Sequence, residues 1–226
     1  GGVSYDADAS AFFTAASITD TTQKSAVNQL VLDLKSYGIW TKCSAIYPIV
    51  GGSATSHKYN LKNPLDTNAA FRLTFSTGWT HASTGMTGAS AYANTNLTPS
   101  SSLTANNTHL SIYMGTDTAA GNKVEMGVGV GGTLIPIMIL MSKYTGTIAQ
   151  SNAYNLSTNQ ITASNTNASG FYIGSRTSST SHKLYKSSSI LATDTNTNSN
   201  TLPTLSMTIG ALNSNGSIVQ IGRAHV

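Results

Sequence analysis

Phe71-Arg72-Leu73-Thr74-Phe75-Ser76 alternates apolar and polar residues with a period of two, and Leu110-Ser111-Ile112-Tyr113-Met114 repeats the pattern. Successive side chains of a strand point to opposite faces. Phe71, Leu73 and Phe75 therefore read as one inward face, and Ile112 and Met114 as another, with Ser111 and Tyr113 on the opposite side. Working outward, short β-rich runs separated by Gly, Asn, Ser and Thr clusters predict strands near 45–50, 58–61, 71–76, 110–115, 123–130, 134–141, 170–175, 183–186 and 206–211. The polar stretches 162–170 and 193–201 read as loops, because strands resume soon after them. The expected fold is mainly β, an antiparallel two-sheet sandwich.

Upstream of Trp40 the period is 3.6. Asp6 or Asp8 can cap a short helix through Phe12 and Phe13, and Asp20 with Gln23 three residues on forms a capping-box pattern. Ala26, Val27, Leu30, Val31 and Leu34 then make a single apolar stripe, expected to be buried with Lys24 and Lys35 exposed. Gly38 sits where a helix-ending glycine belongs. Two short N-terminal helices thus precede the sandwich, and the predicted organisation is 1–39 helical, 40–219 β-sandwich and 220–226 a non-native tail.

The 226 residues suit one sizeable domain or one domain with an appendage. Charged residues are 9% of the chain, against about 25% in typical domains, while Ser, Thr and Asn make up roughly a third. The net charge of +4 reflects scarce acids rather than abundant bases. With no basic run to track phosphates, no nucleic-acid partner is expected. The apolar run 134–141 is far short of the about 20 residues a bilayer span needs, so no membrane insertion is expected. Cys43 stands alone, which forbids an internal disulfide framework.

His182-Lys183-Leu184-Tyr185-Lys186-Ser187-Ser188-Ser189-Ile190 resembles the hairpin of the laminin-G-like, concanavalin A-like jelly-roll family, with Ser-Ser in place of the family's usual Asn-Gly turn. The Ile209-Gly210-Ala211 element that follows resembles that family's next strand. A wider resemblance rests on Asp6-Ala7-Asp8-Ala9, Trp40-Thr41-Lys42, Ala45-Ile46-Tyr47-Pro48, Ser56-His57-Lys58-Tyr59-Asn60-Leu61 and Gly174-Ser175-Arg176-Thr177-Ser178. These are similar to a module of phage tail-fibre and other virion structural proteins, also found in uncharacterised proteins from environmental sequence. The resemblance implies a jelly-roll sandwich, a virion or extracellular location, a glycan or cell-surface receptor and other virion proteins as partners, and a homotrimeric full-length parent. In that module the strand matching Ile209 to Asn213 is followed by a last strand and a C-terminal helix.

The chain starts at Gly1 without a leader-like pattern. Ile221-Gly222-Arg223-Ala224-His225-Val226 matches one reading frame of a common sequencing-library adapter. The natural chain is therefore expected to continue beyond about Val219, with 221–226 making few native-like contacts.

Catalytic chemistry has little to stand on. Glycosidases need two carboxylates flanking the scissile bond. Glu125 is the only glutamate, with no acid two or four positions away, and is expected at a solvent-facing strand position. Acids distant in sequence, such as Asp66 or Asp117, could converge on it. Gly127-Val128-Gly129-Val130-Gly131-Gly132 has the spacing of a dinucleotide loop but leads into a predicted strand rather than a helix. No Gly-x-Ser-x-Gly elbow occurs, and Cys43 has no protease signature around it. No cofactor is expected; calcium is the one open possibility, because jelly rolls hold it through carboxylates and carbonyls, with Asp66 or Asp117 as ligands. His57, His81, His109, His182 and His225 lack metal-ligand spacing.

Three residues are candidates for ligand contact. Trp79 and His81 share a face of any strand they both occupy, fit to stack on a sugar ring and hydrogen-bond its hydroxyls, unless Trp79 belongs to the core. Arg176 either joins them or holds a loop through paired hydrogen bonds. The expectation is a non-enzymatic lectin-like or adhesion module. A purely structural virion assembly module is the alternative, and a polysaccharide hydrolase acting through Glu125 a third.

Overall fold

The computed structural model describes residues 4–88, 90–119, 121, 123–131, 136–144, 148–153, 161–196 and 201–221, with backbone only for 148–153. Among the described residues the protein is mainly β with four α-helices. Its chain divides into two compact units, 1–75 with 80–86, and 76–79 with 87–226.

In the first unit, α1 (Ala7–Ala15) starts at Asp6, whose carboxylate accepts the Asp8 amide, and α2 (Thr21–Ser36) starts at Asp20, which accepts the Gln23 amide at 2.8 Å. These caps satisfy amides that have no partner inside their helices. Gly38 follows α2 in the left-handed region at φ +66°. Ala9, Phe12, Phe13, Val27 and Val31 share a core with Trp40 and Leu61, and Leu34 packs against it. The expected stripe is narrower than its sequence pattern: Ala26 is exposed and Leu30 is 37% exposed, while Lys24 is half-buried. A nine-residue α1 covers one seam of α2, the line Val27, Val31 and Leu34, and the position beside Val27 is taken by Asn28, whose side chain accepts the Asp6 amide.

The strands expected at 45–50 and 58–61 do not form. Buried Asn60 takes their place: its Oδ1 accepts the Ile46 amide, and its Nδ2 donates to the Ser44 and Ala70 carbonyls. The helix α3 (Ala54–His57) is closed by a reciprocal Ser53–Ser56 cap. The strand expected over 71–76 shrinks to β1 (Thr74–Phe75), because Phe71 ends a 3-10 turn at φ +59° and leaves extended geometry. A hairpin of β2 (Trp79–Ala82) and β3 (Gly85–Gly88) follows.

The second unit holds β4 (Ala93–Asn94), α4 (Pro99–Ser102), β5 (Thr108–Met114), β6 (Met126–Gly129), β7 (Ile137–Met141), β8 (Ile148–Ala153), β9 (Ile161–Ser164), β10 (Gly170–Ser178), β11 (Ser181–Lys186), β12 (Ser189–Asp194), β13 (Thr208–Ile209), β14 (Leu212–Ser214) and β15 (Ser217–Val219). One sheet runs β4-β13-β6-β7-β8-β9, with β14 pairing β6 and β15; a second runs β12-β11-β10-β5. The sheets approach each other where β12 meets β9 and β10 meets β8. Ladders are antiparallel apart from β14 with β6. Val124, Ile137, Ile139, Met141 and Leu212 form the buried cluster of the larger sheet. Within the polar stretches read as loops, Thr162 lies in β9 and Thr193 in β12. Asn215-Gly216, at φ +51° and +87°, closes β14 on β15 in the manner of a mirror-image hairpin turn. At the end of the described chain Ile221 bridges Val124, its carbonyl accepting from Lys123; 222–226 and the expected strand residues 134 and 135 lie outside the described residues.

Candidate functional site

The sheet β12-β11-β10-β5 presents two unlike faces. On the buried face, register aligns Ile112, Tyr172 and Lys186, then Leu110, Gly174, Leu184 and Ala192, then Thr108, Arg176, His182 and Asp194. Arg176, Tyr172, His182 and Leu184 are completely buried. The Tyr172 hydroxyl accepts from Asn165 at 2.8 Å and donates to the Asn167 carbonyl, and burial pushes its pKa up to about 12. Burial, then the adjacent Arg176 guanidinium, pushes His182 down to about 4, with Asp194 opposing. Ionisable groups on this face are thus engaged inside the fold.

The opposite face carries the residues one step out of phase. Tyr113 stands opposite Phe171, Ser111 aligns with Ile173, Tyr185 and Ile190, and His109 aligns with Ser175, Lys183 and Thr193. Tyr113 is 54% exposed, Phe171 41% and Ile190 55%, while Ile173 and Tyr185 are half-buried. Four strands at their usual spacing make this face about 14 Å wide. Apart from Ser111, apolar and aromatic groups occupy two of its rows, and hydroxyls, an imidazole and an ammonium the third. It holds no acid. Sequence reasoning placed Tyr113 opposite the inward Ile112 and Met114 but passed over Phe171, because Phe171 and Tyr172 are both aromatic and alternation cannot say which faces in.

Glu125 corrects an expectation. It is 5% exposed rather than solvent-facing: its carboxylate accepts the Ser142 amide and the Ser142 hydroxyl, each at 2.8 Å. Burial pushes its pKa up to about 7 against the pull of those bonds. The calcium candidates are occupied by cations. Asp66 pairs with Lys58 and Arg72, and Asp117 with Lys143 while accepting the Ala168 amide, and in each case hydrogen bonding holds the carboxyl below its ordinary range. Among the described residues no three His, Cys, Asp or Glu side chains gather as metal ligands.

Each of the three sequence candidates has its own neighbours. The Trp79 indole N–H donates to the Tyr92 carbonyl at 3.0 Å, and its ring lies so close to Gly88 and Gly210 that a Cβ at those positions would stand 2.9 Å and 3.3 Å from it. His81 pairs with His57 through their Nδ1 atoms at 2.9 Å, with Phe75 edge-on. Because the Gly52 amide donates to Nε2 of His57, the His57 proton sits on Nδ1 and donates to His81. Burial, then His81, pushes His57 down to about 4. Arg176 donates to the carbonyls of Ser178 and Ser179 and so holds the turn between β10 and β11, the loop-holding role open to it from sequence.

No family model matches the chain, and neither a curated protein nor a solved structure matches it. No helix among the described residues is long and apolar enough to cross a membrane.

Proposed function

We propose that the second unit is a non-enzymatic saccharide-binding module, a jelly-roll sandwich of the concanavalin A-like kind, displayed on a virion surface such as a tail fibre and directed at a host glycan. One observation carries the reading: the exposed face of β12-β11-β10-β5 sets Tyr113, Phe171 and Tyr185 beside Ser111, Ser175 and Thr193. Apolar sugar faces stack on such rings while ring hydroxyls bond to neutral donors and acceptors. Buried Glu125, its oxygens bonded to Ser142, supports a non-catalytic reading.

The test is a glycan-array screen of the full chain and of a Phe171→Ala, Tyr185→Ala double variant. Reproducible binding that the double variant loses while keeping its fold supports the proposal. Absence of any saccharide ligand leaves the assembly-module reading, and polysaccharide turnover abolished by Glu125→Gln replaces it with a hydrolase.

A further inference from the structure

We infer, on the strength of the saccharide reading above, that the ligand of this face is an acidic saccharide whose carboxylate or sulfate is held by Lys183. Two independent features of the face lead there: its charge and its size.

Charge comes first. The outward residues of the four strands include Lys183 and His109 and no carboxylate. The other lysines of the second unit are engaged: Lys143 pairs with Asp117, Lys186 donates to Asn165 and Asn167, and Lys123 donates to the Ile221 carbonyl. Lys183 makes no hydrogen bond or ion pair among the described residues, and the fold does not require its charge. Cross-strand pairing puts it opposite Ser175, with His109 on the far side of that serine, and two positions along β11 from Tyr185. A ring stacked on Tyr185 would thus carry an acidic substituent toward an unspent ammonium, with the Ser175 hydroxyl beside it. Such a charge-assisted hydrogen bond is stronger than a neutral one.

Size comes second. A tyrosine or phenylalanine contributes about 150–250 Å² when wholly exposed. At the exposures of Tyr113, Phe171 and Ile190, and the smaller contributions of Ile173 and Tyr185, the apolar patch is on the order of 300–400 Å². A stable protein interface takes about 800 Å² from each partner. A little over half of such an interface is apolar, about 450 Å² per partner, so the patch falls short of a tight protein interface by a modest margin and is of the size that one or two sugar rings cover.

The experiment pairs acidic saccharides, carrying uronate, sialate or sulfate, with neutral counterparts of the same linkage on one array, using the full chain, followed by calorimetric titration of the best pair. Acidic members should bind about five- to tenfold tighter than their neutral partners at low salt, an advantage that Lys183→Gln removes and rising salt erodes. Lys183→Arg should retain it. Equal binding of acidic and neutral members, or an acidic preference unchanged in Lys183→Gln, overturns the inference and leaves the saccharide reading standing. No binding by any member overturns both. Sedimentation that shows a dimer dispersed by Tyr113→Lys also overturns both, because the face would then be an interface between copies.

Discussion

The two faces of β12-β11-β10-β5 are built from the same strands in the same register, yet they use their side chains in opposite ways. The buried face holds the groups that chemistry usually favours, Arg176, His182, Tyr172 and nearby Lys186: Arg176 bonds into the turn after β10, Tyr172 and Lys186 bond to Asn165 and the Asn167 carbonyl, and His182 lies in register between Arg176 and Asp194. The exposed face holds plainer residues, Tyr113, Phe171, Tyr185 and Ile190, and leaves them in solvent. Chemical type alone is therefore a poor guide to which residues meet a ligand. What decides it is whether the fold already uses the group.

The largest effect that contrast predicts is at Arg176. Arg176→Ala removes a completely buried guanidinium and leaves the Ser178 and Ser179 carbonyls without their partner. Stability should fall by about 3–4 kcal/mol in urea melts. His182 should titrate at a higher pH in a variant that stays folded, since the guanidinium is the second cause of its depressed value. A loss under about 1 kcal/mol would mean that Arg176 is not needed to hold the turn.

A pH profile sharpens the comparison from within the buried side. Glu125 rises from 4.5 to about 7 on folding, so the unfolded chain releases this proton first, and stability from this group declines as pH climbs between those values. At most the decline is about 3 kcal/mol. His182 works in the opposite direction over nearly the same window: its folded value, near 4, lies below the ordinary 6.5, so stability is lost as pH falls between them, and His57, also near 4, adds a slope of the same sign. Because the two windows overlap, the readout is the difference between variant and wild type: the stability of Glu125→Gln relative to wild type should rise by up to about 3 kcal/mol between pH 4.5 and pH 7. A stability difference between Glu125→Gln and wild type that stays constant from pH 4.5 to pH 8 would contradict the burial of a neutral Glu125.

Smaller effects follow at Gly210 and on the exposed face. Gly210→Ala forces a Cβ onto a residue at φ +80°, 2.9 Å from the Ala91 carbonyl and close to the Trp79 ring, and should cost about 2 kcal/mol in a thermal or urea melt. Tyr113→Ala should cost less than about 1 kcal/mol, because more than half of that side chain is already in water. If Tyr113→Ala destabilised as much as Arg176→Ala, the distinction between the faces would collapse.

Parts of this arrangement were legible in the sequence because local chemistry dictates them. Asp6 and Asp20 cap their helices, Gly38 follows α2 in the left-handed region, the expected strand 110–115 falls in β5 apart from Gly115, and 170–175 and 183–186 fall inside β10 and β11. Other parts depend on long-range partners that periodicity does not reveal. The spans 45–50 and 58–61 have β-like composition, but Asn60 supplies from its side chain the bonds a ladder would have made. Glu125 looked outward until Ser142, seventeen residues away, provided two donors for its carboxylate. Alternation put Tyr113 on the outer face, but it could not separate Phe171 from Tyr172, and Trp79 drew attention as the larger aromatic although Gly88 and Gly210 make room for it within the second unit.

The most direct test of the central claim is a backbone-amide NMR titration of the full chain with the tightest saccharide found on the array. Shift changes should concentrate at His109 to Tyr113, Phe171 to Ser175, Lys183 to Tyr185 and Ile190, the exposed rows of one sheet. Changes centred instead on Trp79, Gly88 and Gly210, with those rows unmoved, would contradict the account.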